Sequence, residues 1–413
     1  MPRPSNRTSH LRTLSTRRNK PSQKPTNHKS AIIKFILACL FSGLPFLSAS
    51  HFLLQLGISL INITLVYTFA PYVYNKILEY TKNKVSIHRK NLKRNSKLSI
   101  DGSWSNRRNA SFCIVDLIDI DTRKIVDYEI VIKNSSRHPS TYNGSSKGME
   151  IEGCKKIFSR WKDETNVIYL CHDQDASISK CLQESGWKVN ELIDTNHGMK
   201  SFKLFIQKLS KDERKHIKEI KEGLINHLYA TLYSLKTKEE KINFWRNAKL
   251  HYRGNHEFCD NPKHTGINWT MKDNNEALIT LEKVLKKGEE YIIKCNPLIG
   301  STQLNESFHN VKAKYLDKRK SFPCSTPCRL ALSILDFNNE ENYEAEIRKE
   351  LGVEIKNEFE EELKKYKKYK EVLKKKRREI EYLIKARREK NEKRKIGRKK
   401  SKEKEFYDPG GFE

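Results

Sequence analysis

Between residues 97 and 200 the apolar positions fall into short runs separated by polar turns. Residues 98–101 form a brief apolar stretch. Residues 110–120 (ASFCIVDLIDI) are β-rich, the turn signal Asp121-Thr-Arg-Lys124 follows, and 124–133 (KIVDYEIVIK) form a second long run. Two such runs across a short polar turn predict an antiparallel hairpin. Beyond a polar loop the spacing predicts a helix over 149–162. A fully apolar strand over 167–171 (VIYLC) then ends at His172-Asp173. A helix over 176–184, a strand over 187–193 and a helix from about His197 complete this stretch.

Three strands, helix, strand, helix, strand, helix is the order of a ribonuclease-H-like α/β fold. Its mixed sheet has an antiparallel first trio, and later strands, separated by helices, run parallel to the first. The rest of the chain divides around this sheet. Residues 1–30 are a basic tail without periodicity, expected to be disordered, and 31–95 are an apolar helical segment. Residues 96–204 make the first part of the sheet domain and 205–300 a mostly helical insertion. Residues 301–335 complete the domain, and 336–413 are charged helix and basic tail. In that last part Leu363, Tyr366, Tyr369, Leu373, Ile380 and Ile384 recur at three, four and seven, as a coiled-coil or packing stripe does.

Two apolar runs, 31–48 and 52–74, are each about long enough to span a bilayer. Lys34 and Pro45 in the first, and Gln55, Asn62, Thr64 and Thr68 in the second, are costly in lipid. The alternative is a compact helical subdomain buried against the next domain.

Charge changes the picture at the two ends. The 413 residues carry 81 Lys and Arg against 51 Asp and Glu, a net charge of +30. Residues 1–30 hold eight cations and no acid, and 364–404 hold 22 cations against six acids. Flexible basic ends bind a polyanion by counterion release, and nucleic acid is the usual one. Nine cysteines without regular spacing exclude a disulfide framework and point to a reducing compartment.

The candidate chemistry lies in acids placed on the predicted order. Asp101 ends the first strand and Asp173 the fourth, and these strands are neighbours in such a fold. Two Mg²⁺ (or Mn²⁺) ions about 3.5–4 Å apart require a shared carboxylate cluster to hold an in-line phosphoryl displacement. A third acid has to come from a later helix, and Glu306 in Asn305-Glu-Ser-Phe-His309 is the best placed. Taken singly each acid has an ordinary explanation. An Asp before Gly is a common turn residue, Asp175 either caps the next helix or exchanges roles with Asp173, and Glu306 fits a solvated helix face. The signal is the set and its order.

Histidine and cysteine spacing gives a second site. His251, His256, Cys259 and His264 fall within fourteen residues and suit a tetrahedral Zn²⁺ site, although no C-x-x-C frames them. His197, after a strand near the carboxylates, is placed to contact DNA phosphate or the scissile group, or else simply packs at a helix start. Trp104, Trp187, Trp245 and Trp269 are each core residues or base-stacking platforms.

Several short motifs occur in order: Asp101-Gly-Ser-Trp104, the hairpin ending in Ile125-Val-Asp-Tyr-Glu129, Asp173-Gln-Asp-Ala-Ser177, Asp194-Thr-Asn-His197 followed by Lys200, and Asn305-Glu-Ser-Phe-His-Asn310. Over roughly residues 50–330 the chain resembles cut-and-paste DNA transposases of the Mutator-like kind, close to the Kolobok group. That resemblance implies a DDE triad in which Asp101, Asp173 and Glu306 hold the metal ions. It also implies a D-x-x-H signature at Asp194 and His197, and an H-x-x-G-x-H-x-x-C stretch in the insertion, matched from His251 to Cys259. Transposon ends in double-stranded DNA are the implied partner, with a homo-oligomer in the nucleus as the implied setting. A helix before the catalytic domain in relatives argues against the membrane reading of 31–74. Two other readings remain on the residues alone. One is a catalytically silent DNA-binding protein derived from a transposase, and the other a membrane-anchored basic protein.

Overall fold

The computed structural model describes residues 27–353, apart from 59–61, 106–108, 134–141, 254, 256–273, 318–321 and 323, and scattered positions between 361 and 387. The expected strands form and pair as expected. β1 (Ser96–Trp104), β2 (Phe112–Asp119) and β3 (Lys124–Ile132) are antiparallel, and β4 (Val167–His172) runs parallel to β1 with β5 (Asn190–Ile193) parallel beyond it. The sheet order is β3-β2-β1-β4-β5. It is a mixed α/β sheet with the predicted hairpin on one side of β1 and the later strands on the other.

Alternation along the strands decides what each face buries. Cys113, Val115 and Leu117 of β2, with Leu98 and Ile100 of β1, pack on α4 (Gly148–Trp161) and α5 (Ala176–Ser185) through Ile157, Phe158, Trp161, Ile178 and Leu182. The alternate positions Ile114 and Ile118 pack on Val85, Phe308, Leu330 and Ile334 of the opposite layer. That layer consists of α3 (Ile63–Lys90), α12 (Gln303–Tyr315) and α13 (Thr326–Phe337).

The insertion has a core of its own. Between α6 (Thr195–Lys208) and α12 run α7 (Lys211–His216), α8 (Lys221–Tyr233), α9 (Lys238–Arg246), α10 (Ala248–Tyr252) and α11 (Asn275–Lys294). Trp245 sits at its centre, fully buried, with its indole N–H donating to the Leu285 carbonyl.

Three sequence expectations need correction. The run 52–74, counted as long enough to span a bilayer, is not one continuous helix. α1 (Asn27–Phe41) and α2 (Phe46–Gln55) precede a break at Gly57, whose φ of +70° suits glycine, and Asn62 then caps α3 by accepting the N–H groups of Thr64 and Leu65. Among the described residues no single helix is long and apolar enough to cross a membrane, and the α1–α2 pair, sufficient only when taken together by length and composition, is bent by 109°. Ile32, Ile33, Ile36, Leu37 and Leu40 of α1 are buried inside the fold. The strand expected over 187–193 is shorter, because Trp187 leaves the ladder to pack on Phe158 and Trp161. Finally, the charged helix expected from residue 336 starts only after α13 has run on to Phe337. α13 is buried from Cys328 to Leu335, and charge takes over only with α14 (Tyr343–Glu350). Within α13 the buried Arg329 donates to Ser325 Oγ and to the carbonyls of Tyr315 and Leu44, so neutral acceptors solvate the cation, and among the described residues no acid pairs with it.

The chain divides into two compact units, residues 1–351 and 352–413. Of the stripe in the second unit, Tyr366, Tyr369 and Leu373 are helical, while Leu363, Ile380 and Ile384 lie outside the described residues.

Candidate active site

The β1–β4 ladder ends at Ser99 opposite Cys171. Two residues further along each strand, and therefore on the same face as that pair, come Asp101 and Asp173. Beyond the last ladder pair the two neighbouring chain segments, the interior of β1 and the residue after β4, thus carry carboxylates toward the same side. Burial raises the Asp101 carboxyl to about 8, and the negative charges of Asp173, Asp116 and Glu150 push in the same direction. Asp116 stands directly across β2 from Asp101.

Asp173 is held from two sides. Thr302 Oγ1 donates to its Oδ1 at 3.2 Å, and His197 Nδ1 lies 3.0 Å from the same oxygen. His197 also lies 3.4 Å from Asp194 Oδ1, and both are ion-pair approaches rather than linear hydrogen bonds. The Asp173 and Asp194 carboxylates hold the imidazole protonated to about pH 10, so it is a cation at neutral pH. Burial opposes ionisation of Asp194, but His197 and the Thr302 and His197 amides prevail and keep its carboxyl at about 2. Asp194 also caps α6 through the N–H groups of Asn196 and His197. The D-x-x-H spacing thus has a local cause. A cap residue and the third residue of its helix share one turn, so the ring is delivered beside the cap carboxylate.

One stripe of α12 faces these strand ends. Thr302, at its N-cap, reaches Asp173. Asn305 donates to Asp116 Oδ2 at 2.7 Å and accepts from Ser99 Oγ at 2.6 Å. His309 places Nε2 3.0 Å from Asp116 Oδ1 and Nδ1 3.6 Å from Asp101 Oδ2. Glu306 is four residues after Thr302 and three before His309, so it belongs to the same stripe. It is exposed. Among the described residues, no three His, Cys, Asp or Glu side chains stand as a ready-made metal-ligand set. Asp101, inside β1, and Asp173, just past the end of β4, lie close enough for their charges to interact, and Glu306 stands on the helix whose N-cap Thr302 and whose His309 approach them.

Asp175 accepts the Ser177 N–H at 2.7 Å as the cap of α5. Of the second candidate site only His251 is described, with its ring edge-on to Tyr252 and 6.3 Å from that of His227. His256, Cys259 and His264 lie outside the described residues, as does Trp269. Trp187 and Trp245 are core residues, and Trp104, half-buried, donates its indole N–H to the Ser146 carbonyl.

Sequence reasoning missed Asp116, His309 as its partner, and Glu150. Asp116 was visible as one acid inside a strand apolar on both faces, where a charge demands partners. Glu150, buried in the first turn of α4, carried no such signal in its own neighbourhood.

No curated protein matches the chain. Residues 75–266 match the family model of the Mutator-like transposases, a stretch that holds Asp101, Asp116, Glu150, Asp173, Asp194 and His197 and ends before α12. The match supports a Mutator-like transposase.

Proposed function

We propose that the chain is a cut-and-paste DNA transposase near the Kolobok group, cleaving and joining DNA strands at a divalent-metal centre made by Asp101, Asp173 and Glu306. The observation that carries this reading is the single stripe of α12, where Thr302 touches Asp173, His309 approaches Asp101, and Glu306 stands between them in sequence. The donor set suits a hard cation. Several carboxylates share a small, partly buried space and repel one another, which a divalent ion bound through oxygen would relieve. Mg²⁺ or Mn²⁺ bound there would polarise the scissile phosphate and make the attacking water, or later a strand 3′-hydroxyl, more acidic.

The chain's own side chains do the rest. Asp101 within β1 and Asp173 just past β4 present oxygens from two adjacent strands. Thr302 and the His197 cation fix the Asp173 carboxylate, and buried Asp116 fixes His309 so that its second nitrogen faces Asp101. The basic ends hold DNA phosphates non-specifically, the stripe beginning at Leu363 pairs protomers, and the working compartment is the nucleus.

The test is nicking of supercoiled plasmid in Mn²⁺. The intact chain nicks, while Asp101→Ala and Glu306→Gln bind DNA with unchanged affinity and do not nick. Undiminished nicking by Asp101→Ala removes the triad. Binding without nicking by the intact chain instead assigns a silent DNA-binding protein.

A further inference from the structure

Thr302 and His197 hold the side chain of Asp173, but its backbone lies beyond the sheet. The last pair of the β4–β5 ladder is His172 with Ile193, and α5 opens at Ala176 after its cap at Asp175. Asp173 and Gln174 link strand to helix past the end of either ladder. Some other contact has to set where the Asp173 carboxylate points.

His172 makes that contact. It ends the strand Val-Ile-Tyr-Leu-Cys-His, and its side chain is completely buried. A buried imidazole is costly unless its nitrogens are bonded, and an aliphatic residue would fill the place without that demand. Here both nitrogens are engaged. Nδ1 donates to the Asp173 carbonyl, which can only accept, and Nε2 lies 2.8 Å from Glu191 Oε1 on β5. Ser179, in the first turn of α5, donates to the same Glu191 oxygen. The Asp173 carbonyl also accepts the Asp175 N–H at 2.7 Å. Strand β5 and helix α5 thus grip one ring, and the ring grips the peptide group of Asp173. Leu170, two residues earlier, packs in the α4–α5 layer, so His172 braces the link from the side of the sheet opposite α12.

We propose that His172 is a positioning residue for the divalent-metal centre: braced by Glu191 and Ser179, it fixes the Asp173 peptide group and so the aim of the Asp173 carboxylate. This rests on the metal-centre reading above.

Mn²⁺ binding by calorimetry on the full chain, with metal-free melting followed in parallel, tests it with two variants that keep one donor each. The side-chain amide nitrogen of Asn stands where Nδ1 does, and that of Gln where Nε2 does. His172→Asn keeps the bond to Asp173 and should bind Mn²⁺ within about threefold of the parent. His172→Gln keeps only the bond to Glu191 and should bind about tenfold to a hundredfold more weakly, while melting no lower than His172→Asn. Parent-like affinity in His172→Gln, or an equal loss in both variants, overturns the proposal and leaves the triad standing. A loss that follows melting temperature rather than the donor retained makes the residue structural and also overturns it. Should neither variant fold, Glu191→Ala removes the brace from a partly exposed position, and parent-like Mn²⁺ affinity there overturns the proposal. A parent chain that binds no Mn²⁺ overturns the triad reading and this inference together.

Discussion

Replacing Asp101 by Asn should stabilise the metal-free protein, and increasingly so as pH rises. The folded chain holds this carboxyl at about 8, against an ordinary value of 3.8, through burial and its acidic neighbours. Between those values the folded state keeps a proton that the unfolded state has lost, so stability falls as pH rises through the window. At about 1.4 kcal/mol per unit, full ionisation costs on the order of 6 kcal/mol if the site stays dry, and about half that if water enters the gap. The assay is chemical denaturation of chelated protein from pH 5 to 9, parent against Asp101→Asn. The variant's advantage should be roughly 1–2 kcal/mol at pH 5, where the unfolded chain has already lost this proton, and grow to roughly 3 kcal/mol or more above pH 8. Saturating Mn²⁺ should reverse the order, because the parent then gains binding energy that the variant lacks. A parent curve that runs parallel to the variant's across the whole range would refute the argument that these carboxylates crowd one another.

Asp194→Ala orphans the N–H groups of Asn196, His197 and Thr302, so urea unfolding should show a loss of roughly 3 kcal/mol. His227, on α8, is held neutral down to about pH 4 by burial, aided by His251 and Lys236. Between that pH and 6.5 the unfolded chain binds the extra proton, so stability should fall on acidification by up to about 3 kcal/mol, and His227→Gln should abolish that part of the pH dependence. Deleting 364–404, with its 22 cations, should shrink the log–log salt slope of DNA binding by several units at about 0.9 per phosphate. An unchanged slope with a changed oligomer mass would make that tail a dimer seam with solvated charges.

The strands were legible because the sheet is built from uninterrupted β-rich runs whose two faces are both covered. The hairpin and the parallel β1–β4 pair follow from loop length alone. What could not be read was how far each element runs. Gly102 resembled the start of a turn, so β1 was expected to end at Asp101, whereas it continues to Trp104 because the glycine serves a close approach. Trp187 has strong strand propensity yet is taken by the aromatic cluster on Phe158 and Trp161. In the site, Asp101, Asp173 and the D-x-x-H pair were legible because spacing and strand ends determine them. Asp116 and Glu150 were not, because Asp116 takes its hydrogen-bond partners Asn305 and His309 from 189 and 193 residues away and Glu150 lies against Gly102 on another element, so only tertiary packing brings them near.

Asp194 has one more consequence. One of its oxygens caps the helix by which the chain enters the insertion, and the other takes the N–H of Thr302, 108 residues later, where the chain leaves it. A single carboxylate thus clasps both feet of a long excursion. Closing a loop costs only logarithmically more as the loop lengthens, and this excursion carries its own core around Trp245. Its outer helices are therefore free to grow, shrink or acquire new recognition surfaces over evolutionary time without shifting Glu306 relative to the strands. For the experimenter, the same clasp marks the tips of the insertion as the place to graft a reporter or a targeting domain, and its base as the place to leave untouched.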